Sequence, residues 1–121
     1  MRLRTSGGGD EAGEKDGIRF VVMEATGELK QMQNMVGELT RDAAKPTVAV
    51  VGSREGGGKL IVAITEGTTA AENHNAVEIL NQIAGHIGGG GGGRPTFAQG
   101  GGSNSDGLDG ALAAAKEIFG L

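Results

Sequence analysis

The residues whose pattern most suggests chemistry are the ones without side chains. Six consecutive glycines, Gly88 to Gly93, run into Arg94-Pro95, and Gly100-Gly101-Gly102 follows Gln99 a few residues later. Glycine tolerates positive φ, so such a run can curl its N–H groups into one concavity, a nest that suits an anion. Ordering six glycines in place of alanines costs roughly 2–6 kcal/mol, a burden that a folded domain would rarely carry as mere spacer. Arg94 adds a planar fork of donors for a phosphate or a base edge, and Pro95 fixes the direction in which the chain leaves it. The pattern predicts a backbone-lined recognition loop over 88–102, suited to a nucleic-acid backbone. A linker, or tight packing of helix on sheet, is the competing reading.

Other candidates fail on spacing. Gly52 to Lys59 resembles a nucleotide P-loop, but Gly52 and Gly58 are separated by one residue too many, and Leu60 stands where a magnesium-binding Ser or Thr belongs. The next element is a strand, so no helix N-terminus faces a phosphate there, and the segment reads as a hairpin turn. His74 and His86 are too far apart for the i, i+4 pairing of a metal helix, and the chain has no Cys. No metal site is expected, and His86 is placed at a helix C-terminus, where an imidazole meets exposed carbonyls. Ser103 and Ser105 have no His or Lys at a spacing that would activate them. Glu72-Asn73-His74-Asn75 reads as the solvated first turn of a helix capped by Thr68 or Thr69. No catalytic residue is expected.

These residues must be positioned by a single domain of 121 residues, long enough to bury a core without staples. Its net charge is −4, whereas dedicated nucleic-acid binders are usually basic, so phosphate contacts must come from local basic spots. Phe20, Phe97 and Phe119 are the only aromatic residues, which makes base stacking a poor hypothesis. No apolar stretch approaches ~20 residues, and Met1-Arg2-Leu3-Arg4 leads into polar sequence, so neither a membrane span nor a secretory signal is expected. A cytoplasmic protein is the resulting expectation.

Residues 1–17 read as a flexible Gly-rich, acidic segment, or as the edge of a fragment whose Arg2-Leu3-Arg4 closes an upstream strand. Ile18–Met23 is a strand by its β-branched and aromatic content. Thr26 signals the N-cap of a helix whose apolar face is Leu29, Met32, Val36 and Leu39. Thr47–Val51 and Lys59–Ile64 are apolar runs around a Gly-rich turn, hence an antiparallel hairpin. The longest helix spans 71–87, with Val77, Leu80, Ile83, Ala84 and Ile87 facing the core. Thr96–Gln99 is a short strand, and a last helix over 106–119, capped by Asp106, is faced by Leu108, Leu112, Ala115 and Ile118. The order β-α-β-β-α-(β)-α gives a single α/β domain over 18–121, with a small mixed sheet flanked by about three helices.

Gly89 to Arg94-Pro95, followed by Phe97-Ala98-Gln99-Gly100-Gly101-Gly102, resembles the Gly-rich motif of the C-terminal domain of alanyl-tRNA synthetases, a member of the DHH-associated superfamily. The resemblance covers about residues 18–121 and looks most like the archaeal branch. It implies a non-catalytic domain that binds the elbow of tRNA-Ala and so supports aminoacylation and editing. Its contact residues would be Gly88, Gly89, Gly90, Gly91, Gly92, Gly93, Arg94, Pro95, Gln99, Gly100, Gly101 and Gly102. Partners would be tRNA-Ala, the rest of the synthetase chain and a second copy joined through helices upstream of this chain. No cofactor is implied here, whereas the parent enzyme would use ATP, Mg and Zn. Thr96 stands where the family usually has Asp, which questions how the loop is braced. Two alternatives compete: a substrate-phosphate-binding domain related to DHH phosphoesterases, whose motif typically ends in His where this chain has Arg94, and a dimerisation module whose glycines serve packing alone.

Overall fold

The computed structural model describes residues 11–15, 17–25, 29–42, 44–54 and 57–120. Six strands form one mixed sheet: β1 (Glu11–Lys15), β2 (Ile18–Glu24), β3 (Thr47–Ser53), β4 (Gly58–Ile64), β5 (Gly89–Arg94) and β6 (Phe97–Gly102). Their order across the sheet is β1-β2-β3-β4-β6-β5. Every neighbouring pair is antiparallel except β2 and β3, which run parallel. A parallel pair needs a crossover, and α1 (Leu29–Thr40) supplies it. The other helices are α2 (Thr69–Asn73), α3 (Ala76–Ile83) and α4 (Leu108–Phe119), with 3-10 turns at Ala84–Ile87 and Ser105–Gly107.

Three layers result. Helix α1 packs on β3 and β4 from one side, where Met32 and Val36 bury against Val51, Ile61 and Ala63. Helices α3 and α4 cover the other side, where Leu80, Ile83, Ile87, Leu108 and Leu112 meet Val22, Val50, Leu60 and Val62. Strand β3 is buried along its whole length because both its faces are covered, which is why it reads as an unbroken apolar run. Each fully buried Leu or Ile contributes about 1.5–3 kcal/mol, so the two clusters dominate stability.

Several expected features differ in the structure. Residues 11–15, expected to be flexible, form the antiparallel edge strand β1 against β2, and the Lys15 ammonium reaches the carbonyl of Gly120 beyond α4 at 3.1 Å. The remainder of 1–10 and the Thr26 cap lie outside the described residues. The long helix over 71–87 is broken at His74-Asn75, which are both extended. Thr68 does stand at the N-cap of the short α2, but its hydroxyl donates to the carbonyl of Thr65 and makes no capping bond. Helix α3 has its own cap in Asn75, whose side chain accepts hydrogen bonds from the Val77 and Glu78 amides at 2.9 and 3.1 Å. The break lets His74 set its ring edge-on to Phe20, with centroids 5.3 Å apart.

Asp106 does not cap α4, because the chain enters that helix through a 3-10 turn and the N-cap residue is Gly107. A Cβ on Gly107 would overlap the carbonyl of His86, so no side chain fits that position. The core face of α4 also turns by one residue. Ile118 is 39% exposed, and Phe119 takes the buried position, stacked on Phe20 at 4.8 Å.

Candidate nucleic-acid interface

Five of the six consecutive glycines, Gly89 to Gly93, form strand β5 together with Arg94. Gly89, Gly90 and Gly91 pair with Gly102, Gly101 and Gly100, and the ladder continues through Gly92–Gln99, Gly93–Ala98 and Arg94–Phe97. The expected anion nest is therefore not formed by this run, since the pairing holds its backbone in an extended ladder. Gly88 takes up left-handed geometry, at φ 72, where it closes the preceding 3-10 turn. The expected loop is thus a glycine hairpin at the edge of the sheet, with Pro95-Thr96 as its two-residue turn.

That turn is tied down from three sides. The Pro95 carbonyl accepts the amide of Ala76 at 2.7 Å, at the start of α3. The Thr96 carbonyl accepts the amide of Ile64 at 2.9 Å. The Thr96 hydroxyl donates to the carboxylate of Glu66 at 3.0 Å, a contact that an ionised aspartate at 96 could not make. Thr96 therefore braces the turn by its own route.

The glycines of the hairpin divide into two kinds. At Gly91 a Cβ would run into the Gln99 carbonyl and lie 2.5 Å from the Gly100 Cα; at Gly102 it would overlap the Ile87 carbonyl. Gly89, Gly93 and Gly100 are similarly filled by neighbouring backbone. These positions are glycine because two main chains approach too closely for any side chain. Gly90 and Gly92 have nothing within 4 Å of the position a Cβ would take. Packing does not require glycine at either.

Strand alternation and register assemble one surface here. Ile61 and Ala63 of β4 pack on the α1 side, so Lys59 lies on that side too. Gln99 joins it, because the Gln33 side-chain amide on α1 donates to the Gln99 Oε1 at 2.7 Å. Arg94 stands opposite Phe97, which packs in the same α1-side cluster. Two depressions result. Lys59, Gln99, Gly100 and Gly101 line one of about 250 Å³. Arg94, Thr96 and Phe97 share one of about 280 Å³ with Gly37, Thr40 and Arg41 of the α1 end and with Glu66.

The charge pattern supports an open interface. Among the described residues, Arg41 is paired with Glu38, and Arg54 with both Glu24 and Asp109, at 2.7 Å in each case. Hydrogen bonds from Arg54 to Glu24, then to Asp109, push its guanidinium pKa well above the usual value. Arg94 and Lys59 have no such partner among the described residues. Burial lowers the pKa of His74 from its ordinary 6.5, in keeping with a neutral packing role against Phe20. Among the described residues no group of three His, Cys, Asp or Glu is placed to hold a metal, and no helix is long and apolar enough to cross a membrane.

Of the expected contact residues, the hairpin brings Gly89 to Gly93, Arg94, Pro95, Gln99 and Gly100 to Gly102 together, and Gly88 leads into it. Lys59 and Gln33 escaped the sequence reading. The alternation of Lys59 with Ile61 and Ala63 was available to place the lysine; nothing in the sequence pairs Gln33 with Gln99.

The DHHA1 domain family matches residues 17–121. The chain belongs to that family. This DHHA1 domain is 39% identical over 114 residues to the alanine--tRNA ligase of Natronomonas pharaonis, covering 93% of the chain and 12% of that relative. It is 32% identical over 103 residues to the alanine--tRNA ligase of Chloroflexus aurantiacus, covering 85% of the chain and 12% of that relative. The domain thus spans about an eighth of the length of these relatives. Among solved structures, the C-Ala domain of Aquifex aeolicus alanyl-tRNA synthetase superposes with a TM-score of 0.74, over 92% of this chain and 99% of that one, at 23% identity. The fold is accordingly that of a C-Ala domain, and the chain is similar in sequence to one domain of an alanine--tRNA ligase.

Proposed function

We propose that this DHHA1 domain is a non-catalytic tRNA-binding module of an alanine--tRNA ligase, engaging the elbow of tRNA-Ala through the β5–β6 glycine hairpin in support of aminoacylation and editing. The observation that carries the reading is the exposed glycine strand Gly89–Gly93 running into Arg94, whose guanidinium has no ion-pair partner among the described residues. A main chain without side chains can approach a ribose-phosphate backbone closely, and Arg94 offers a two-pronged phosphate contact at its end. The contact set is Gly88 to Gly93, Arg94, Pro95, Gln99 and Gly100 to Gly102, acting beside the rest of the synthetase. With a net charge of −4, the isolated domain binds weakly and releases few counterions.

The test is a titration of a tRNA-Ala transcript with the purified chain and with its Arg94→Ala variant at several salt concentrations. Binding that weakens in the variant, with a shallower salt dependence, supports the reading. Equal affinity of the two proteins removes Arg94 from the interface, and no binding by the parent chain removes the function.

A further inference from the structure

We propose that RNA lies on one side of the β5–β6 hairpin only, the side that α1 leaves bare, and that Lys59 and the Gln33–Gln99 amide pair complete that site. The inference rests on the RNA reading above and adds a face and two contacts to it.

The register lays out the surface in three rows across β5, β6 and β4: Arg94–Phe97–Ala63, Gly92–Gln99–Ile61, and Gly90–Gly101–Lys59. Helix α1 packs over β3 and β4, so the outer part of this face stays open; the opposite face is covered by α3, which packs on β4, β5 and β6. The two glycines that packing does not require, Gly90 and Gly92, fall in the two rows with Lys59 and Gln99. A strand selected for stability alone would carry β-branched or aromatic residues at such open positions. Their absence keeps the face low, so that a partner can lie against the main chain.

The partner's chemistry follows from what borders the bare patch. Arg94 and Lys59 occupy diagonal corners, with Cα atoms about 16 Å apart by strand rise and strand spacing. They are too far apart to share one phosphate, so each takes its own. Between them, Gln33 and Gln99 spend one donor and one acceptor on each other. Among the described residues neither has a further partner, so the pair presents one amide NH2 and one carbonyl oxygen, whichever way both amides are turned. A ribose 2′-hydroxyl, both donor and acceptor, matches that set. Phe97, the aromatic side chain of this face among the described residues, is committed to packing in the α1-side cluster, so base stacking is not what the patch is built for. Glu66, held by Thr96, borders the Arg94 end and keeps phosphate contact there to a single group.

The experiment titrates a tRNA-Ala transcript with the full chain and with Arg94→Gln, Lys59→Gln, Gln99→Met and Gly92→Thr, following thermal unfolding of each. Lys59→Gln is expected to weaken binding several-fold and to reduce the slope of log K against log salt by roughly 0.7–0.9, the signature of one lost phosphate contact. Gln99→Met is expected to weaken binding with the slope unchanged, since no counterion is involved. Gly92→Thr is expected to unfold no lower than the parent and yet to bind more weakly. If Arg94→Gln weakens binding while the other three bind like the parent, this one-sided site is wrong and the RNA reading stands. If the parent chain does not bind, both are wrong.

Discussion

Adjacent glycines of β5 should respond to the same substitution with opposite signs. Replacing Gly by Ala at a compatible backbone position stabilises a protein by about 0.4–1 kcal/mol, because the unfolded chain has fewer states to lose. Gly90 and Gly92 have negative φ and open space where the methyl group would go. The double variant Gly90→Ala/Gly92→Ala is therefore expected to gain about 0.8–2 kcal/mol. For a domain of this size, at about 3–6 °C per kcal/mol, that is a rise in Tm of roughly 2–12 °C. At Gly91 the same entropic gain is opposed by a collision with the main chain of β6 at Gln99 and Gly100. Forcing a methyl group into occupied space costs about 1–3 kcal/mol even where side chains can yield. Here the obstacle is the neighbouring strand, so β5 must separate from β6, and Gly91→Ala is expected to lose at least ~1 kcal/mol net. Urea and thermal unfolding followed by far-UV circular dichroism read both effects. A Gly91→Ala variant as stable as Gly92→Ala would refute the division of these glycines into two kinds.

Three further outcomes are expected. Asn75→Ala should cost about 1 kcal/mol in urea unfolding, because the Val77 and Glu78 amides lose their acceptor. Leu112→Ala, at a fully buried position beneath the sheet, should cost about 2–5 kcal/mol and lower Tm accordingly. His74 is easier to keep neutral in the fold than in the unfolded chain, so its contribution is complete above the unfolded value of 6.5 and is lost as pH falls through it toward the depressed folded value. The urea midpoint should therefore drop more between about pH 7.5 and 5.5 in the parent than in His74→Phe, and a proton NMR titration should place the His74 imidazole below 6.5.

The central strands, α1 and the β3–β4 hairpin were legible because apolar runs and helical spacing record burial directly. Strand β1 was not, since Glu11-Ala-Gly-Glu-Lys15 has no apolar alternation and gains its order from pairing with β2. The glycine strand was misread as a curled loop for a related reason. Glycine has low strand propensity and carries no pattern, and the determining fact is a close approach to a distant second glycine cluster. The helix break at His74 was readable in principle. Asn75 followed by Glu78 is an N-cap signal, but the apolar spacing from Val77 onward masked it inside one long helix. At the C-terminal helix, Phe119 displaced Ile118 because Phe20 awaits an aromatic partner on β2. Of the site, Arg94 and the glycines were legible from composition, while the side they present depends on register.

The bare edge strand also bears on how this domain behaves in concentrated solution. An exposed edge offers unpaired main-chain groups to any passing strand, and most proteins blunt it with charge. Here the deterrent is poverty of reward. A strand pairing with β5 would order flexible glycine backbone and find no side chains to pack against in return. Substitutions that fill Gly90 and Gly92 to stabilise the fold would remove that deterrent, making the hydrogen-bonding edge a better template for self-association. Greater thermal stability and greater aggregation would then arrive together.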